Sequence, residues 1–220
     1  MLNHQPDNIE WRANVPFSIQ FDDPYYSADN GLAEAQHVFL SGNGLPKRFS
    51  PEFQIAELGF GTGLNLLVAL AAWRKSGVKG ILHFTSFEAF PLTPEQMIKA
   101  HEAFPELKKL AIELASLWGN TITLPDLKFD LILGDARNTL PAWPQKADAW
   151  FLDGFSPSKN PELWEPTLMA HVAHHTKAGG SCATYTAAGF VRRGLQKAGF
   201  AITRTPGFGR KRHMTQGTMQ

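Results

Sequence analysis

A glycine-rich turn follows an acidic residue in the segment Glu57-Leu-Gly-Phe-Gly-Thr-Gly-Leu-Asn65, where Gly59, Gly61 and Gly63 occupy every second position. Dinucleotide sites that hold a pyrophosphate at a helix N-terminus space their glycines as G-x-G-x-x-G. The carboxylate of Glu57 would repel a pyrophosphate, whereas it suits a ligand with cationic groups. S-adenosylmethionine carries a sulfonium and an ammonium and no phosphate. We therefore interpret residues 57–65 as an S-adenosylmethionine site; a purely structural turn and an NAD or FAD site are the alternatives.

Two further acids follow the next two strand-like segments. Glu88 ends the first, where a carboxylate can accept hydrogen bonds from both hydroxyls of a ribose. Asp135 follows the second, in Gly134-Asp135-Ala136, where its carboxylate or the neighbouring backbone can contact an adenine amine. Either acid alone is more often a helix cap or a surface residue. Their placement at consecutive strand ends after the glycine turn favours a shared cofactor site.

A fourth acid, Asp153, begins a turn rich in Gly, Ser and Pro, Asp153-Gly-Phe-Ser-Pro-Ser-Lys-Asn-Pro161. This turn is similar to the Asp-Pro-Pro-Tyr loops of amino-methyltransferases. A carboxylate there can accept N–H bonds from an amine, orient its lone pair and stabilise the developing positive charge. It can also take a proton from an alkylammonium. We predict that Asp153 is the catalytic residue and borders the cofactor; a buried turn acid that caps the next helix is the alternative.

Alternating strand and helix signals position these residues. Apolar runs predict seven strands, over 54–58, 81–87, 129–133, 149–152, 181–186, 200–205 and 213–219. Helical periodicity predicts helices over 64–75, 93–104, 105–118, 161–176 and 189–198. The alternation predicts an α/β, Rossmann-like fold with a mostly parallel seven-stranded sheet. Ligands of such sheets bind at the carboxyl ends of the strands, where the four acids lie.

Length and composition predict one domain. The chain has 220 residues, 43% of them hydrophobic, which supports a globular core. Residues 1–50 are rich in turn formers and aromatics, and we predict an N-terminal arm or hairpin, with a helix over 31–40, packed on a domain of residues 51–220. The longest apolar stretch, eight residues, is short of a membrane span of about 20. With no secretory signal pattern and a single cysteine, we predict a cytoplasmic protein without a membrane segment, disulfide or metal site.

The net charge of +1 hides an asymmetry along the chain. Residues 1–165 carry 13 Lys and Arg against 20 Asp and Glu, whereas residues 166–220 carry eight basic residues and no acid. Such clustering favours a polyanionic partner, and a solvated face offset by nearby acids is the alternative. The cations that we expect to contact substrate or phosphate are Lys159, Arg192, Arg193, Arg210, Lys211 and Arg212.

Several segments resemble the methyltransferase domain of the MnmC family of tRNA 5-methylaminomethyl-2-thiouridine biosynthesis proteins. They are residues 57–65, 151–161 and 188–195, together with Phe21-Asp-Asp-Pro-Tyr-Tyr-Ser27 and Gly207-Phe-Gly-Arg-Lys-Arg212. The resemblance covers the chain from about residue 9 onward. It implies methyl transfer from S-adenosylmethionine to the primary amine of 5-aminomethyl-(2-thio)uridine, the wobble base of certain tRNAs. By the same resemblance, Asp153 is the acid of the active-site loop and residues 57–65 form the cofactor loop.

The resemblance also implies partners. A wobble base lies in a single-stranded loop, so it can be inserted into a site without melting a duplex. We expect Tyr25, Tyr26 and Phe155 to stack on it and the basic final quarter to hold the tRNA anticodon stem-loop. Family members usually continue into an FAD-dependent oxidoreductase that prepares the amine. This chain has no second glycine fingerprint, so we expect no FAD here and a fused or separate oxidoreductase as partner. The rival functions are methylation of a small amine or protein, and RNA binding without catalysis.

Overall fold

The computed structural model describes residues 8–220. The first seven residues of the predicted arm lie outside the described residues, and so does the part of the chain to which the prediction of no secretory signal applies. The chain begins with a three-stranded antiparallel sheet made of β1 (Ile9–Arg12), β2 (Val15–Ser18) and β3 (Asp23–Pro24). Helix α1 (Gly31–Ala35) begins where the Asn30 side chain accepts the Ala33 N–H at 2.9 Å. It continues as a π-helical segment, Gln36–Leu40, so the helix predicted over 31–40 is present in two helical forms.

Strands and helices alternate over the rest of the chain. The strands are β4 (Gln54–Leu58), β5 (Leu82–Glu88), β6 (Thr121–Leu124), β7 (Leu127–Leu133), β8 (Ala147–Leu152), β9 (Thr176–Thr184), β10 (Phe200–Pro206) and β11 (His213–Met219). The helices are α2 (Leu64–Ser76), α3 (Pro94–His101), α4 (Lys108–Ala115), α5 (Ala136–Thr139), α6 (Pro166–His174) and α7 (Gly189–Lys197). Short 3-10 turns cover Ser41–Asn43, Pro105–Leu107, Leu140–Ala142 and Pro161–Trp164.

These strands form one eight-stranded sheet in the order β10-β11-β9-β8-β4-β5-β7-β6. The five strands from β9 to β7 are parallel, and antiparallel strands complete both edges. The Rossmann-like α/β prediction is confirmed, and all seven predicted strands are present. The additional strand, β6, is a four-residue edge strand with exposed positions, too short for its alternation to stand out in the sequence.

Two elements differ from the sequence-based prediction for local reasons. The helix predicted over 161–176 is divided into a 3-10 turn and α6, because Pro166 disfavours helical backbone at Glu165, whose ψ is 145°. The strand predicted over 181–186 begins earlier, at Thr176. Gly179, with a φ of +72°, and a register shift against β8 form an irregularity inside β9, so the glycines lie within the strand.

Buried apolar residues cover both faces of the sheet. Successive residues of β4 point to opposite faces, so Ile55 packs in one cluster and Leu58 in the other. Val38 and Phe39, from the N-terminal fifth of the chain, pack in the same cluster as Ile55, and the domain boundary at residue 50 therefore stays a prediction. Within residues 8–220, no helix combines the length and the hydropathy that crossing a membrane requires.

Candidate active site

The glycine turn connects β4 to α2 at the carboxyl edge of the sheet. Gly59, Gly61 and Gly63 all have positive φ, of +84°, +53° and +76°. Glycine adopts this backbone region without the steric cost that a side chain adds. Gly59 has a second reason to be glycine, because a Cβ there would lie 2.2 Å from the backbone oxygen of Asp153. The absence of a side chain lets the two loops approach each other closely.

Two adjoining cavities open above this turn. The first, of about 390 Å³, brings together predicted site residues from the glycine turn and the start of α2, β5, the Asp153 loop, the arm and the turn at 207–212: Tyr25, Tyr26, Gly59, Gly61, Asn65, Glu88, Asp153, Phe155 and Lys211. The second, of about 330 Å³, contains Asp135. Gly59, Glu88 and Phe155 line both cavities and mark their boundary. The predicted cofactor residues therefore line these two adjoining cavities, together called the crevice, except for Glu57 and Gly63, which line neither.

Glu57 acts on the cavity through Asn65. The Asn65 Nδ2 group donates to Glu57 Oε1 at 2.9 Å and to Asp153 Oδ2 at 2.8 Å. The second oxygen of Glu57 accepts the Ser86 hydroxyl at 2.7 Å. Glu57 is completely buried, and burial raises its pKa well above the usual range. Its role in this structure is to orient the amide that holds Asp153.

Asp153 lies at the floor of the first cavity. Its Oδ1 atom accepts the N–H of Gly154 at 3.0 Å, so each carboxylate oxygen has one fixed donor. Burial raises the pKa of Asp153 to about 7, and the charge of Glu34 adds to this, while the Asn65 hydrogen bond and Lys211 act in the opposite direction. A carboxylate that ionises near neutral pH is suited to take a proton from an ammonium group.

Glu88 connects the glycine turn to the second cavity. Its two oxygens accept the N–H groups of Gly61, at 3.0 Å, and Phe90, at 2.8 Å. An ionised carboxylate has about four acceptor positions, so Glu88 can accept further hydrogen bonds from a ribose. Asp135 differs, because it caps α5 and forms an ion pair with Arg137 at 2.6 Å, which lowers its pKa. The adenine contact predicted for Asp135 or its neighbouring backbone stays a prediction.

The N-terminal arm packs on the Asp153 loop. The ring of Phe21 stacks on Phe155 with centroids 4.7 Å apart. The carboxylate of Asp23 accepts the Ser156 N–H at 2.8 Å, and Asp22 forms an ion pair with Lys159 Nζ at 2.5 Å. Lys159 is therefore held by the arm and does not line either cavity, so its predicted contact with substrate stays a prediction.

The two arm tyrosines have different surroundings. Tyr25 lies edge-on to Phe155, with centroids 5.1 Å apart. The Tyr26 hydroxyl lies 3.0 Å from the Asn14 carbonyl oxygen and 3.3 Å from that of Ala100, and burial raises its pKa to about 12. Tyr26 therefore joins the arm to α3 as well as lining the cavity.

Three residues that the sequence analysis did not single out support the site. Glu34, from α1, and Tyr185, after β9, line the first cavity. His101 Nε2 donates to the Thr62 carbonyl at 2.7 Å and so holds the glycine turn from α3. No local pattern marks these residues, because each contact joins positions that are far apart in the chain.

The predicted basic residues divide into two groups. Lys211 lies in the cavity wall, 2.7 Å from Glu34 and 4.1 Å above the centre of the Tyr185 ring. Arg210, Arg212 and Arg193 are exposed, and Arg192 is half-buried with its Nε 3.3 Å from the Ala187 carbonyl. The four arginines lie outside both cavities and stay predictions for a nucleic-acid contact.

The charge of the crevice fits S-adenosylmethionine. Burial raises the pKa of Glu88 and Asp153, which line the crevice, so a cationic ligand would favour the ionised form of each. Lys211 is the one Lys or Arg among the described residues that line the first cavity. A ligand that brings a sulfonium and an ammonium supplies the missing positive charge, whereas a pyrophosphate would add to the repulsion.

The raised pKa of Asp153 predicts that the contribution of this carboxyl group to the stability of the folded protein falls as the pH rises from about 4 to about 8. In the unfolded chain this carboxyl ionises near 3.8, and in the folded chain near 7. The stabilisation is complete below the unfolded value and is lost as the pH passes the folded one. Asp153→Asn removes this pH dependence. The free energy of unfolding of the variant minus that of the wild type should therefore rise by about 2 to 4 kcal/mol between pH 4 and pH 8. Urea unfolding of both proteins measures the change; a constant difference would contradict it.

Comparisons with known proteins agree with this geometry. The model of a family described as S-adenosyl-L-methionine-dependent methyltransferase matches residues 101–220. The chain is 45% identical, over 96% of its length, to the tRNA 5-methylaminomethyl-2-thiouridine biosynthesis bifunctional protein MnmC of Aliivibrio fischeri. It spans about a third (34%) of the length of that relative.

Solved structures show the same fold. The crystal structure of MnmC2 from Aquifex aeolicus superposes with a TM-score of 0.80 at 26% identity, covering 100% of this chain and 72% of the other. A putative class I S-adenosylmethionine-dependent methyltransferase from Listeria monocytogenes has a TM-score of 0.53 at 13% identity, over 92% of this chain and 62% of its own. The second match shows the fold alone. The chain belongs to the S-adenosyl-L-methionine-dependent methyltransferase family.

Proposed function

We propose that this chain transfers a methyl group from S-adenosylmethionine to the primary amine of 5-aminomethyl-(2-thio)uridine at the wobble position of tRNA. The observation that carries the proposal is the Asp153 carboxylate, held by Asn65 and Gly154 where the glycine turn meets the cavity. The similarity to MnmC over nearly the whole chain supports the substrate. We also propose residues 51–220 as the methyltransferase domain with residues 1–50 as its arm, and the cytoplasm as its location.

The site residues divide the chemistry between them. S-adenosylmethionine, when bound, supplies an electrophilic methyl group. Glu88 and the glycine turn would hold it in the crevice, with the backbone at Asp135 toward its adenine. An aliphatic amine is an ammonium at neutral pH, and Asp153 accepts one of its protons. The carboxyl group then keeps the neutral amine oriented, so that its lone pair faces the methyl carbon.

The surroundings of Asp153 favour this proton transfer. Because its pKa is near 7, a large fraction of the protein molecules carry Asp153 as an ionised, basic carboxylate at physiological pH. The Asn65 amide and the Gly154 N–H fix both oxygens, so little reorganisation is needed when charge develops. Glu57 and Ser86 in turn fix Asn65. A chain of buried and part-buried hydrogen bonds thus keeps the base in one position.

The amine itself must come from another activity. We propose that an FAD-dependent oxidoreductase, fused or separate, supplies it, in accord with the name of the Aliivibrio relative as a bifunctional protein. The bound RNA would present the wobble base as an extruded nucleotide, with Tyr25 and Phe155 beside it. The exposed Arg193, Arg210 and Arg212 would contact the phosphates of the anticodon stem-loop.

Methyl transfer to tRNA tests the proposal. The purified chain is incubated with labelled S-adenosylmethionine and tRNA from a strain that lacks this methylation, with and without prior ribonuclease treatment. We expect label in the RNA fraction and its loss after ribonuclease digestion. If the label appears in a small amine or in protein, and if ribonuclease treatment does not change its amount, the result would favour a methyltransferase for a small amine or a protein. RNA binding without transfer would favour the non-catalytic module.

The arginines of the turn at 207–212 give a separate prediction. Reversing Arg210 and Arg212 to Glu should make the slope of log K against log salt for tRNA binding less negative by about 2, since each lost phosphate contact removes about 0.9 from its magnitude. The matched control reverses Lys108 and Lys109, which are exposed on α4 and lie outside both cavities. Filter binding at several salt concentrations gives the slope. Equal slopes for the two double variants would remove this turn from the RNA interface.

A further inference from the structure

We propose that the carboxylate of Glu34 and the face of the Tyr185 ring form a binding subsite for the primary ammonium of the substrate, and that the side chain of Lys211 occupies this subsite until substrate binds. The inference rests on the proposed function for the identity of the amine. It assigns recognition of the ammonium to residues other than the base that deprotonates it.

Lys211 is held on two sides. Its Nζ atom lies 2.7 Å from Glu34 Oε1 and 4.1 Å from the centre of the Tyr185 ring. The Glu34 side chain is only 12% exposed, so its charge is poorly solvated and needs a cation. A carboxylate opposite an aromatic face is a recurrent way to bind an alkylammonium, because the ring presents negative charge to the cation. All three residues line the first cavity.

The occupant has the chemistry of the proposed substrate. A lysine side chain ends in a methylene group that carries a primary ammonium, and so does an aminomethyl group on a pyrimidine. The position of Lys211 Nζ therefore marks a place where such a group satisfies both partners. No other Lys or Arg among the residues described for this cavity competes for it.

The subsite is connected to the proposed catalytic carboxylate through one residue, Gly154. The Tyr185 hydroxyl donates to the Gly154 carbonyl at 2.7 Å, and the Gly154 N–H donates to Asp153 Oδ1 at 3.0 Å. An ammonium bound against Tyr185 is thus presented on the side of the cavity where Asp153 lies. Recognition by Glu34 and proton removal by Asp153 can follow each other in the same cavity.

Lys211 is able to leave the subsite. Its side chain is 46% exposed, and it lies on a surface turn that includes Gly209, at a φ of +57°. Replacing one ammonium by another preserves the charge balance of the cavity. Arg210 and Arg212 flank Lys211 and are exposed, so a bound RNA phosphate near them would offer Lys211 a new anion. Docking of the RNA and release of the subsite would then occur together.

Binding of free nucleosides tests the subsite without turnover. 5-Aminomethyluridine and the neutral 5-hydroxymethyluridine are titrated by NMR into the protein saturated with S-adenosylhomocysteine. We expect Lys211→Met to tighten 5-aminomethyluridine binding about fivefold, because the internal competitor is gone. Glu34→Gln should weaken it about tenfold. Neither change should alter binding of the hydroxymethyl compound more than about twofold.

Matched variants exclude indirect effects. Lys177→Met removes a similar ion pair, with Asp148 at 2.6 Å, outside both cavities and should leave both affinities unchanged. Tyr185→Phe keeps the ring and should retain 5-aminomethyluridine binding within about twofold, whereas Tyr185→Leu should weaken it about threefold. Unchanged affinity for S-adenosylhomocysteine shows that each variant is folded.

The outcomes separate this inference from the proposed function. Unchanged or weaker 5-aminomethyluridine binding by Lys211→Met would overturn the subsite even if wild-type protein methylates tRNA. Benzylammonium serves as a second probe for the same series. If it reproduces the expected pattern while 5-aminomethyluridine does not bind, the ammonium subsite stands and the proposed substrate fails. If neither probe responds to Glu34→Gln, the subsite is absent.

Discussion

Replacing Asp153 with Asn should lower kcat for methyl transfer about 10³-fold, while the Kd for S-adenosylmethionine stays within about threefold. Asparagine keeps the size of the side chain and one acceptor for the Asn65 amide, but it cannot take a proton from the ammonium. Transfer therefore loses its base and keeps its binding crevice. Single-turnover assays measure the chemical step, and calorimetry measures cofactor affinity.

Asp130→Asn is the matched control for this prediction. Asp130 lies in β7 on the same sheet but lines neither cavity, so its replacement should leave kcat within about twofold. If Asp153→Asn keeps kcat within tenfold of the wild type, the proton passes to another group. A large loss of cofactor affinity in the same variant would instead place Asp153 mainly in cofactor binding.

Replacing Gly59 with Ala should lower kcat/KM about 100-fold or more and also destabilise the protein. The new Cβ would lie 2.2 Å from the Asp153 backbone oxygen and 3.2 Å from the Gly154 Cα, so the loop that carries the proposed catalytic carboxylate must move. A displacement of about 1 Å at a reacting group can cost 10²-fold in rate. The positive φ of Gly59 adds about 1 to 2 kcal/mol of backbone strain.

Gly77→Ala distinguishes the effect of backbone strain at a positive φ from the effect of a steric clash with the Asp153 loop. Gly77 has a similar φ, +73°, but a Cβ there would meet nothing within 4 Å. We expect this variant to lose only about 1 kcal/mol of unfolding free energy and to keep its activity. Thermal unfolding and steady-state kinetics of the two variants give the comparison. Equal losses of activity in Gly59→Ala and Gly77→Ala would show that the close approach of the glycine turn to the Asp153 loop is not the reason why position 59 needs glycine.

The parts of the site that could be predicted from the sequence are those encoded by neighbouring residues. The turn from Glu57 to Asn65 places its chemistry within nine positions, directly after a strand whose apolar run is easily detected. Glu88, Asp135 and Asp153 each lie at the carboxyl end of a strand, and parallel strands bring such ends to one edge. The fold class and the crevice follow from this regularity.

The remaining contacts depend on how distant segments pack. Glu34 and Lys211 are 177 positions apart, and Asp22 and Lys159 are 137 apart. No periodicity relates such pairs, so Lys211 appeared as one cation of a basic turn and Lys159 as a substrate contact. Glu57 illustrates a different difficulty. Its position before the turn was evident, but only the structure shows that it reaches the cavity through Asn65.

Product analysis of the modified nucleoside tests the central claim most directly. tRNA that carries 5-aminomethyl-2-thiouridine is incubated with the protein and S-adenosylmethionine bearing a deuterated methyl group, digested to nucleosides and analysed by mass spectrometry. We expect that the 5-aminomethyl nucleoside disappears and that 5-methylaminomethyl-2-thiouridine appears with the deuterated methyl on its side-chain nitrogen. Deuterium on another nucleoside, or an unchanged 5-aminomethyl nucleoside in the presence of bound cofactor, would contradict it.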